Sequence, residues 1–198
     1  MQTLDLRKTL KHLYSPTPKQ PVIVDVPMFQ FATVEGAIEP RMEPGTSPSF
    51  AAALEALYGV SYTLKFMSKQ RDLEPIDYGV MPLEALWWAD DFESFTTTRD
   101  KSRWHWTLLN LIPPWLTPEH FDSVRERVAR KGTAPLLDKL WLESFDEGRC
   151  VQTLHLGPYD AEGPVLDRLH HGFVPENGLR LRGKHHEIYL SDARRTAP

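Results

Sequence analysis

Residues 77–89 read DYGVMPLEALWWA. This stretch has the pattern of a β-strand and follows a segment with the pattern of a long α-helix, so it decides the fold class. Residues 103–112, RWHWTLLNLI, repeat the strand pattern. Upstream, Ser47 and Pro48 predict the start of the helix, since serine caps exposed N–H groups and proline at the first helical position loses no hydrogen bond. The β-branched and aromatic residues of 22–38 predict an earlier strand. The order predicts a β-α-β-β module.

The second half of the chain predicts a similar order of elements. Thr117 and Pro118 predict another helix start. Residues 139–145 and 149–157 predict two short strands, which we expect to pair with each other as a hairpin. A further helix then leads to a last strand at residues 184–190. The chain is therefore expected to have an α+β fold with an internal repeat in architecture.

The repeat sets the expected domain organisation. We predict an N-terminal arm at residues 1–21, a solvated appendage, followed by one domain at residues 22–198. Its first module covers about 22–114 and its second about 115–198. Two such modules in a pseudo-two-fold arrangement would share a ligand cleft at their joint.

The composition excludes several classes of protein. With 41% hydrophobic and 25% charged residues, the 198-residue chain is an ordinary globular sequence and not a disordered one. A formal net charge of -4 gives no overall positive field to attract nucleic acid. No segment approaches the roughly 20 apolar residues that span a membrane. We expect a cytoplasmic protein with no direct nucleic-acid or membrane partner, and its oligomeric state stays open. The basic cluster is expected on a solvated face of the arm: Arg7, Lys8, Lys11 and Lys19.

Cysteine and histidine usage argues against redox and metal chemistry. The single cysteine, Cys150, permits no internal disulfide, and its strand context favours a packed thiol over a nucleophile. The adjacent pairs His170-His171 and His185-His186 lack a spacing that puts both rings on one face, so no metal site is expected. Glycine-rich phosphate loops, GxSxG and HExxH are absent from the sequence, and we predict no cofactor.

Two glutamates lie within otherwise apolar strand patterns. Alternation places Glu84 on one strand face with Trp88, and Glu187 on one face with His185 and Tyr189. Either carboxylate could lie on a solvated face or pair with an arginine. Alternatively, aromatic neighbours would remove hydration and raise the pKa of the carboxyl, which suits a cation site or a general base. Glu187 and Glu84 are our candidate catalytic residues.

Four of the six tryptophans fall in Trp87-Trp88 and Trp104-His105-Trp106. Because adjacent strand residues face opposite ways, Trp87 and Trp88 cannot both be core, and one of them should line the opposite face. Filling of the core is the simpler role for each ring alone. A flat aromatic ligand would nevertheless find stacking partners here. The predicted ligand-binding residues are Trp88, Tyr189, Tyr159, His155 and Trp106.

Six stretches, taken together, resemble the GyrI-like family of small-molecule-binding proteins. They are LKHLYSP at 10–16, ALYGVSYTLKFMSK at 56–69, VMPLEALWW at 80–88, HWTLLNLIPPWLT at 105–117, QTLHLGPYDAEGP at 152–164 and GKHHEIYLSD at 183–192. The resemblance extends from about residue 4 to residue 195. Ala85 stands where the motif usually carries glycine, and Ala193 stands where proline is expected.

The resemblance implies a fold of two β-α-β-β (SHS2-like) modules with a ligand cleft between them. It also implies the stand-alone branch of the family, which lacks a DNA-binding helix-turn-helix. Some members of that branch hydrolyse cyclopropanoid cyclopropyl genotoxins that alkylate DNA. The expected activity is therefore that of a hydrolase in genotoxin detoxification and drug resistance.

This expectation gives the candidate residues definite roles. A flat substrate would stack on Trp88 while Glu187 deprotonates a water that attacks the strained cyclopropane, and Glu84 would polarise that water or hold a cationic group. Tyr159 or Tyr189 would donate a hydrogen bond to the phenolate that forms. Two alternatives stay open at this point: sequestration of cationic or aromatic drugs without catalysis, and a module that interacts with gyrase.

Overall fold

The computed structural model describes residues 2–70, 74–91, 100–132 and 134–191. Its strands are β1 (Gln2–Leu4), β2 (Val22–Val26), β3 (Phe29–Ala37), β4 (Ile76–Tyr78), β5 (Leu83–Ala89), β6 (Trp104–Ile112), β7 (Trp141–Phe145), β8 (Gly148–Gln152) and β9 (His185–Tyr189). Its α-helices are α1 (Leu6–Thr9), α2 (Lys11–Tyr14), α3 (Pro48–Ser68), α4 (Pro118–Arg130), α5 (Gly163–Asp167) and α6 (Val174–Glu176), with a π-helical turn at Arg168–Phe173 before the last. The α+β class is confirmed.

The chain forms two compact units. The first contains Met1–Leu6, Phe29–Phe145 and Lys184–Tyr189, and with them the five-stranded antiparallel sheet β7-β3-β6-β5-β9 and the β1-β4 pair. The second contains the segments between and after these, including the antiparallel pair of β2 and β8. Strands from both sides of residue 115 share the five-stranded sheet. A duplication into two modules around a cleft stays a prediction.

The two long helices begin where the sequence predicts. Ser47 caps α3 by accepting a hydrogen bond from the Phe50 N–H at 3.2 Å, and Pro48 occupies the first turn. Thr117 and His120 form a capping box at the start of α4. Both helix starts are therefore confirmed, because capping is a local interaction that neighbouring residues decide.

The strands β7 and β8 do not pair with each other, so the predicted hairpin is wrong. β7 pairs antiparallel with β3, and β8 pairs antiparallel with β2. Each strand has only five residues, and each finds a longer-range partner. A turn signal between two short strands does not reveal whether the chain reverses within one sheet or leaves it.

A close approach of backbone and indole shapes the core under α3. Gly36 on β3 lies opposite Trp106 on β6, and a Cβ at residue 36 would lie 2.1 Å from Cζ2 of Trp106. Trp106 is 1% exposed, and its ring packs edge-on against Phe50 of α3 at 5.3 Å between centroids. Only glycine leaves room for the indole against this strand.

The predicted N-terminal arm takes part in the fold. β1 pairs in parallel with β4 in the first unit. In the second unit Leu13 and Tyr14 are buried, and the Leu13 carbonyl accepts a hydrogen bond from Gln152 at 2.8 Å. The expectation of a solvated appendage is therefore wrong. The basic side chains of the arm are exposed as expected: Arg7, Lys8, Lys11 and Lys19.

Cys150 is a packed thiol on β8, as the sequence predicts. Its side chain is half-buried, and its Sγ lies 3.6 Å from the Gly148 carbonyl oxygen. Burial, and then the negative charge and hydrogen bonding of Glu147, raise the pKa of Cys150 to about 12. The thiol therefore stays protonated at neutral pH and is a poor nucleophile.

Candidate functional site

The five-stranded sheet has two chemically different faces. The helix face carries Val34, Leu108, Ala85 and Glu187 in one row across the strands, and Trp87 lies opposite His185 in the next row. The far face carries Glu84, Trp88 and Thr107 together with His186. The predicted groupings of Glu187 with His185 and Tyr189, and of Glu84 with Trp88, are confirmed by this register.

A hydrogen-bonded cluster surrounds Glu187 on the helix face. Trp87 Nε1 donates to Glu187 Oε2 at 3.0 Å and lies 3.0 Å from the Tyr189 hydroxyl oxygen. The Tyr189 hydroxyl donates to the same Oε2 at 2.5 Å. His185 Nε2 lies 3.4 Å from Oε1. One carboxylate oxygen is thus fixed by two donors, and the other faces an imidazole.

Burial and hydrogen bonding act in opposite directions on the Glu187 carboxyl. Burial raises its pKa and is the largest single influence. The hydrogen bond and charge of His185, followed by the hydrogen bonds of Tyr189 and Trp87, together outweigh burial, so the pKa of Glu187 lies below its usual value. The expected rise of this pKa is therefore wrong, because the donors that oppose burial come from a neighbouring strand as well as from β9.

Trp87 contributes to this site although the sequence points to Trp88. Its ring stacks on Phe50 of α3 at 6.3 Å between centroids and contacts Trp104 at 6.4 Å. Trp87 thus fills the core, as expected for one member of the pair, while its indole N–H reaches Glu187. The sequence does not reveal how β5 pairs with β9, and this pairing places Trp87 on the face of Glu187.

The geometry gives Glu187 a restricted set of chemical abilities. Its lowered pKa keeps it ionised at neutral pH, and 23% of its side chain is exposed. An oriented, ionised and partly exposed carboxylate can accept a proton from a water molecule or balance the charge of a bound cation.

Glu84 lies on the far face and is separated from Glu187 by the sheet. It is 1% exposed, and His186 Nε2 lies 3.0 Å from its Oε2. The expectation that both carboxylates act on one water is therefore wrong, because alternation along β5 and β9 sends them to opposite faces. A catalytic role for Glu84 at the Glu187 site has no support in this geometry.

Trp88 on the far face is already in contact with protein groups. Its ring stacks on His105 at 4.4 Å between centroids, and the Lys184 ammonium lies 4.3 Å from the ring centroid. Lys184 also lies within 3.4 Å of Glu35. A ligand that stacked on Trp88 would have to displace these groups.

Comparison with known proteins identifies the family. The GyrI-like small molecule binding domain matches residues 124–198. An uncharacterized conserved protein from Listeria innocua has a crystal structure with 32% sequence identity and a TM-score of 0.84, and the match covers 98% of this chain and 94% of that one. The chain belongs to the GyrI-like family.

Two further crystal structures resemble this GyrI-like protein, and both are of hydrolases from Listeria innocua. One has 30% identity and a TM-score of 0.79, with 98% of this chain and 93% of that chain covered. The other has 32% identity and a TM-score of 0.82, with 100% and 94% covered. No curated protein matches the chain. None of the described helices is long and apolar enough to cross a membrane.

The GyrI-like match and the Glu187 cluster overlap only in part. β9, with Glu187 and Tyr189, falls inside residues 124–198, whereas Trp87 precedes them. Ala85, where the resemblance led us to expect glycine, lies directly opposite Glu187 and is fully buried. Ala193 lies outside the described residues.

The remaining predicted ligand-binding residues are Trp106, Tyr159 and His155. Trp106 is a core side chain, since its indole packs between α3 and Gly36, and it offers no surface to a ligand. Tyr159 and His155 belong to the second unit. Tyr159 is exposed, and His155 Nε2 lies 2.9 Å from the Pro158 carbonyl oxygen. Ligand roles for Tyr159 and His155 stay predictions.

The candidate site at Glu187 is identified by its hydrogen-bonded side chains and not by the size of a cavity. A surface depression of about 330 Å³ in the same unit is lined by Glu35, Arg125, Asp138, Lys139, Leu140 and Trp141. Glu187 does not line that depression. Among the described residues, no group of three or more His, Cys, Asp or Glu side chains is arranged to hold a metal ion.

Proposed function

We propose that this GyrI-like protein is a hydrolase that opens the cyclopropane of cyclopropanoid genotoxins, with Glu187 as the general base. The observation that carries the proposal is the Glu187 carboxylate, ionised, partly exposed and oriented by Trp87 and Tyr189. The two Listeria innocua hydrolases support the class of reaction. The choice of a cyclopropanoid substrate rests on the resemblance to the stand-alone branch of the family.

The proposed reaction adds one water molecule to the substrate. Glu187 takes a proton from water as the water oxygen forms a bond to a ring carbon. The cyclopropane C–C bond breaks, and its electron pair passes into the conjugated dienone, whose oxygen becomes a phenolate. The proton on Glu187 returns to solvent as the phenolate is protonated. Atoms and charge balance without an oxidant or a reductant.

The donors around Glu187 have distinct roles in this scheme. Trp87 and Tyr189 hold Oε2, so Oε1 is the oxygen that meets the water. His185 lies 3.4 Å from Oε1 and is placed to pass the proton onward. The Tyr189 hydroxyl proton is directed at Glu187, so this hydroxyl does not also donate to the phenolate oxygen. A general base of this kind contributes about 10²–10⁴-fold to the rate.

A second candidate function is sequestration of cationic aromatic drugs. The observation that favours it is the lowered pKa of Glu187, which keeps the carboxylate negative at neutral pH. A partly buried anion next to Trp87 and Tyr189 is a suitable counter-ion for a flat cation. In this case the protein would bind its ligand stoichiometrically and leave it unchanged.

Turnover decides between the two functions. Purified protein is mixed with a large excess of an alkylating cyclopropyl compound, and the hydrated product is counted per protein molecule. Many turnovers support the hydrolase, and Glu187→Gln should reduce the rate at least ~10²-fold with ligand affinity nearly unchanged, because the amide keeps the shape but takes no proton.

The matched control is Glu126→Gln, which alters an exposed carboxylate on α4. It should leave turnover and affinity at native values. Turnover that survives Glu187→Gln would remove the proposed mechanism. Binding without product, together with weaker binding of cationic ligands by Glu187→Gln, would instead establish sequestration.

A further inference from the structure

We infer that the buried hydrogen bond between Glu84 and His186 on the far face is a positioning device for the site on the helix face. It fixes the register of β9 on β5 and so holds Glu187 and Tyr189 against Trp87. The expected effect of this hydrogen bond on catalysis rests on the proposed function, whereas its expected effect on the placement of Glu187 does not.

The candidate site depends on the register of two strands. Trp87 lies on β5, whereas Glu187 and Tyr189 lie on β9, so the hydrogen bonds that orient the carboxylate cross from one strand to the other. A shift of one residue would turn Glu187 to the far face. A shift of two residues would keep its face but move it roughly 7 Å along the strand, out of reach of Trp87.

β9 is held in the sheet from one side. It is an edge strand of five residues in the order β7-β3-β6-β5-β9, and its sheet neighbour is β5. Backbone hydrogen bonds form equally well after a shift of two residues, so they do not select the register. Side chains that distinguish one register from another are therefore required.

The Glu84–His186 contact opposes a shift of β9 that would bring Leu190 opposite Glu84. In the pairing of β5 with β9, Glu84 lies opposite Ile188 and Leu86 lies opposite His186, so the hydrogen bond runs diagonally between adjacent rows. The Glu84 side chain is 2% exposed and that of His186 is 14% exposed. A shift of two residues in one direction would place Glu84 opposite Leu190 without this bond, which is costly for a buried carboxylate. A shift in the other direction would place Glu84 directly opposite His186 and replace the diagonal contact. In coiled coils, a single buried polar residue fixes the register in a comparable way.

The experiment replaces the pair by apolar residues and observes the site on the other face. In Glu84→Leu/His186→Leu, no polar group of the pair is left behind, so the protein should fold with a thermal midpoint near that of the native chain. The readout is the indole N–H resonance of Trp87 in ¹⁵N-labelled protein, assigned with Trp87→Phe. We expect this resonance to leave its hydrogen-bonded position, and turnover to fall about 10²-fold as Glu187 is displaced.

Two further variants separate positioning from stability. His186→Gln keeps a donor for Glu84 and should restore both the Trp87 resonance and the turnover. Ile188→Val alters an apolar neighbour on the same face of β9 and should change neither. If the double variant does not fold, His186→Ala and His186→Gln are compared instead, and the proposal requires that only His186→Ala lose the native Trp87 resonance.

A native Trp87 resonance with native turnover in the double variant overturns the inference. So does identical behaviour of His186→Ala and His186→Gln. If the native protein turns over no cyclopropyl compound, the proposed function fails, but the Trp87 resonance still decides whether the far-face pair positions the site.

Discussion

Each face of the five-stranded sheet carries a glutamate beside a histidine, but the two glutamates differ in their exposure to solvent. On the helix face, Glu187 lies 3.4 Å from His185 with 23% of its side chain exposed. On the far face, Glu84 lies 3.0 Å from His186 with 2% exposed. A carboxylate that still meets solvent can exchange protons with a bound water, whereas a fully enclosed one can only hold its partner in place. The surroundings of each glutamate, and not its residue type, separate the two proposed roles.

The largest expected effect on stability concerns the packing of Trp106 on the helix face of the sheet. Gly36→Ala should lower the free energy of unfolding by about 3 kcal/mol, because the new methyl group would overlap the Trp106 ring. Ala37→Val, one residue later and exposed on the opposite face, should change it by less than about 0.5 kcal/mol. Urea denaturation of both variants measures the difference. Equal losses would contradict the close approach of strand and indole.

The adjacent histidines of β9 give the next test. His186→Leu removes a hydrogen-bond partner of a buried carboxylate and should cost about 1–3 kcal/mol in the free energy of unfolding. His185→Leu should cost less than His186→Leu, because Glu187 keeps Trp87 and Tyr189 as donors. It should instead raise the pKa of Glu187, because His185 supplies the largest influences that lower it. Denaturation and a carboxyl titration by NMR distinguish the two outcomes, and the reverse pattern would exchange the roles assigned to the faces.

The two tryptophans of β5 provide a smaller contrast. Trp87→Phe keeps most of the ring but loses the N–H donor to Glu187, which we expect to cost about 1 kcal/mol and to lower turnover by about tenfold. Trp88→Phe loses an N–H that has no hydrogen-bond partner among the described residues, so stability and turnover should stay near native. A larger turnover effect from Trp88→Phe would restore the original expectation that Trp88 lines the site.

The smallest predicted effect is a dependence on pH. Because the pKa of Glu187 is lower in the folded chain than in the unfolded one, its contribution to stability is present above the unfolded pKa of about 4.3 and is lost as the pH falls through the folded value. The stability advantage of the native chain over Glu187→Gln should therefore shrink only below about pH 4.3. An advantage that instead grows as the pH falls would mean that the folded pKa is raised.

Local signals predicted the helices and the composition of each strand face. Ser47-Pro48 and Thr117-Pro118 mark helix starts because capping involves residues three positions apart. Alternation placed Glu187, His185 and Tyr189 on one face because β9 is a regular strand. These inferences need no knowledge of distant residues.

Interactions between distant segments accounted for the errors. β7 and β8 pair with β3 and β2 instead of with each other, which their own residues do not reveal. Trp87 joins the site because β5 and β9 pair in one register, and its N–H then helps to lower a pKa that burial alone would raise. The sequence therefore predicted which residues share a strand face better than which residues of different strands meet.

Under the proposed function, the chemical inertness of Cys150 has a consequence for contact with alkylating compounds. Such compounds react with thiolates, and this chain contains one cysteine. With a pKa of about 12, its thiol presents almost no thiolate at neutral pH. An enzyme built in this way would not be inactivated through alkylation of its single thiol, because that thiol is kept in the unreactive form.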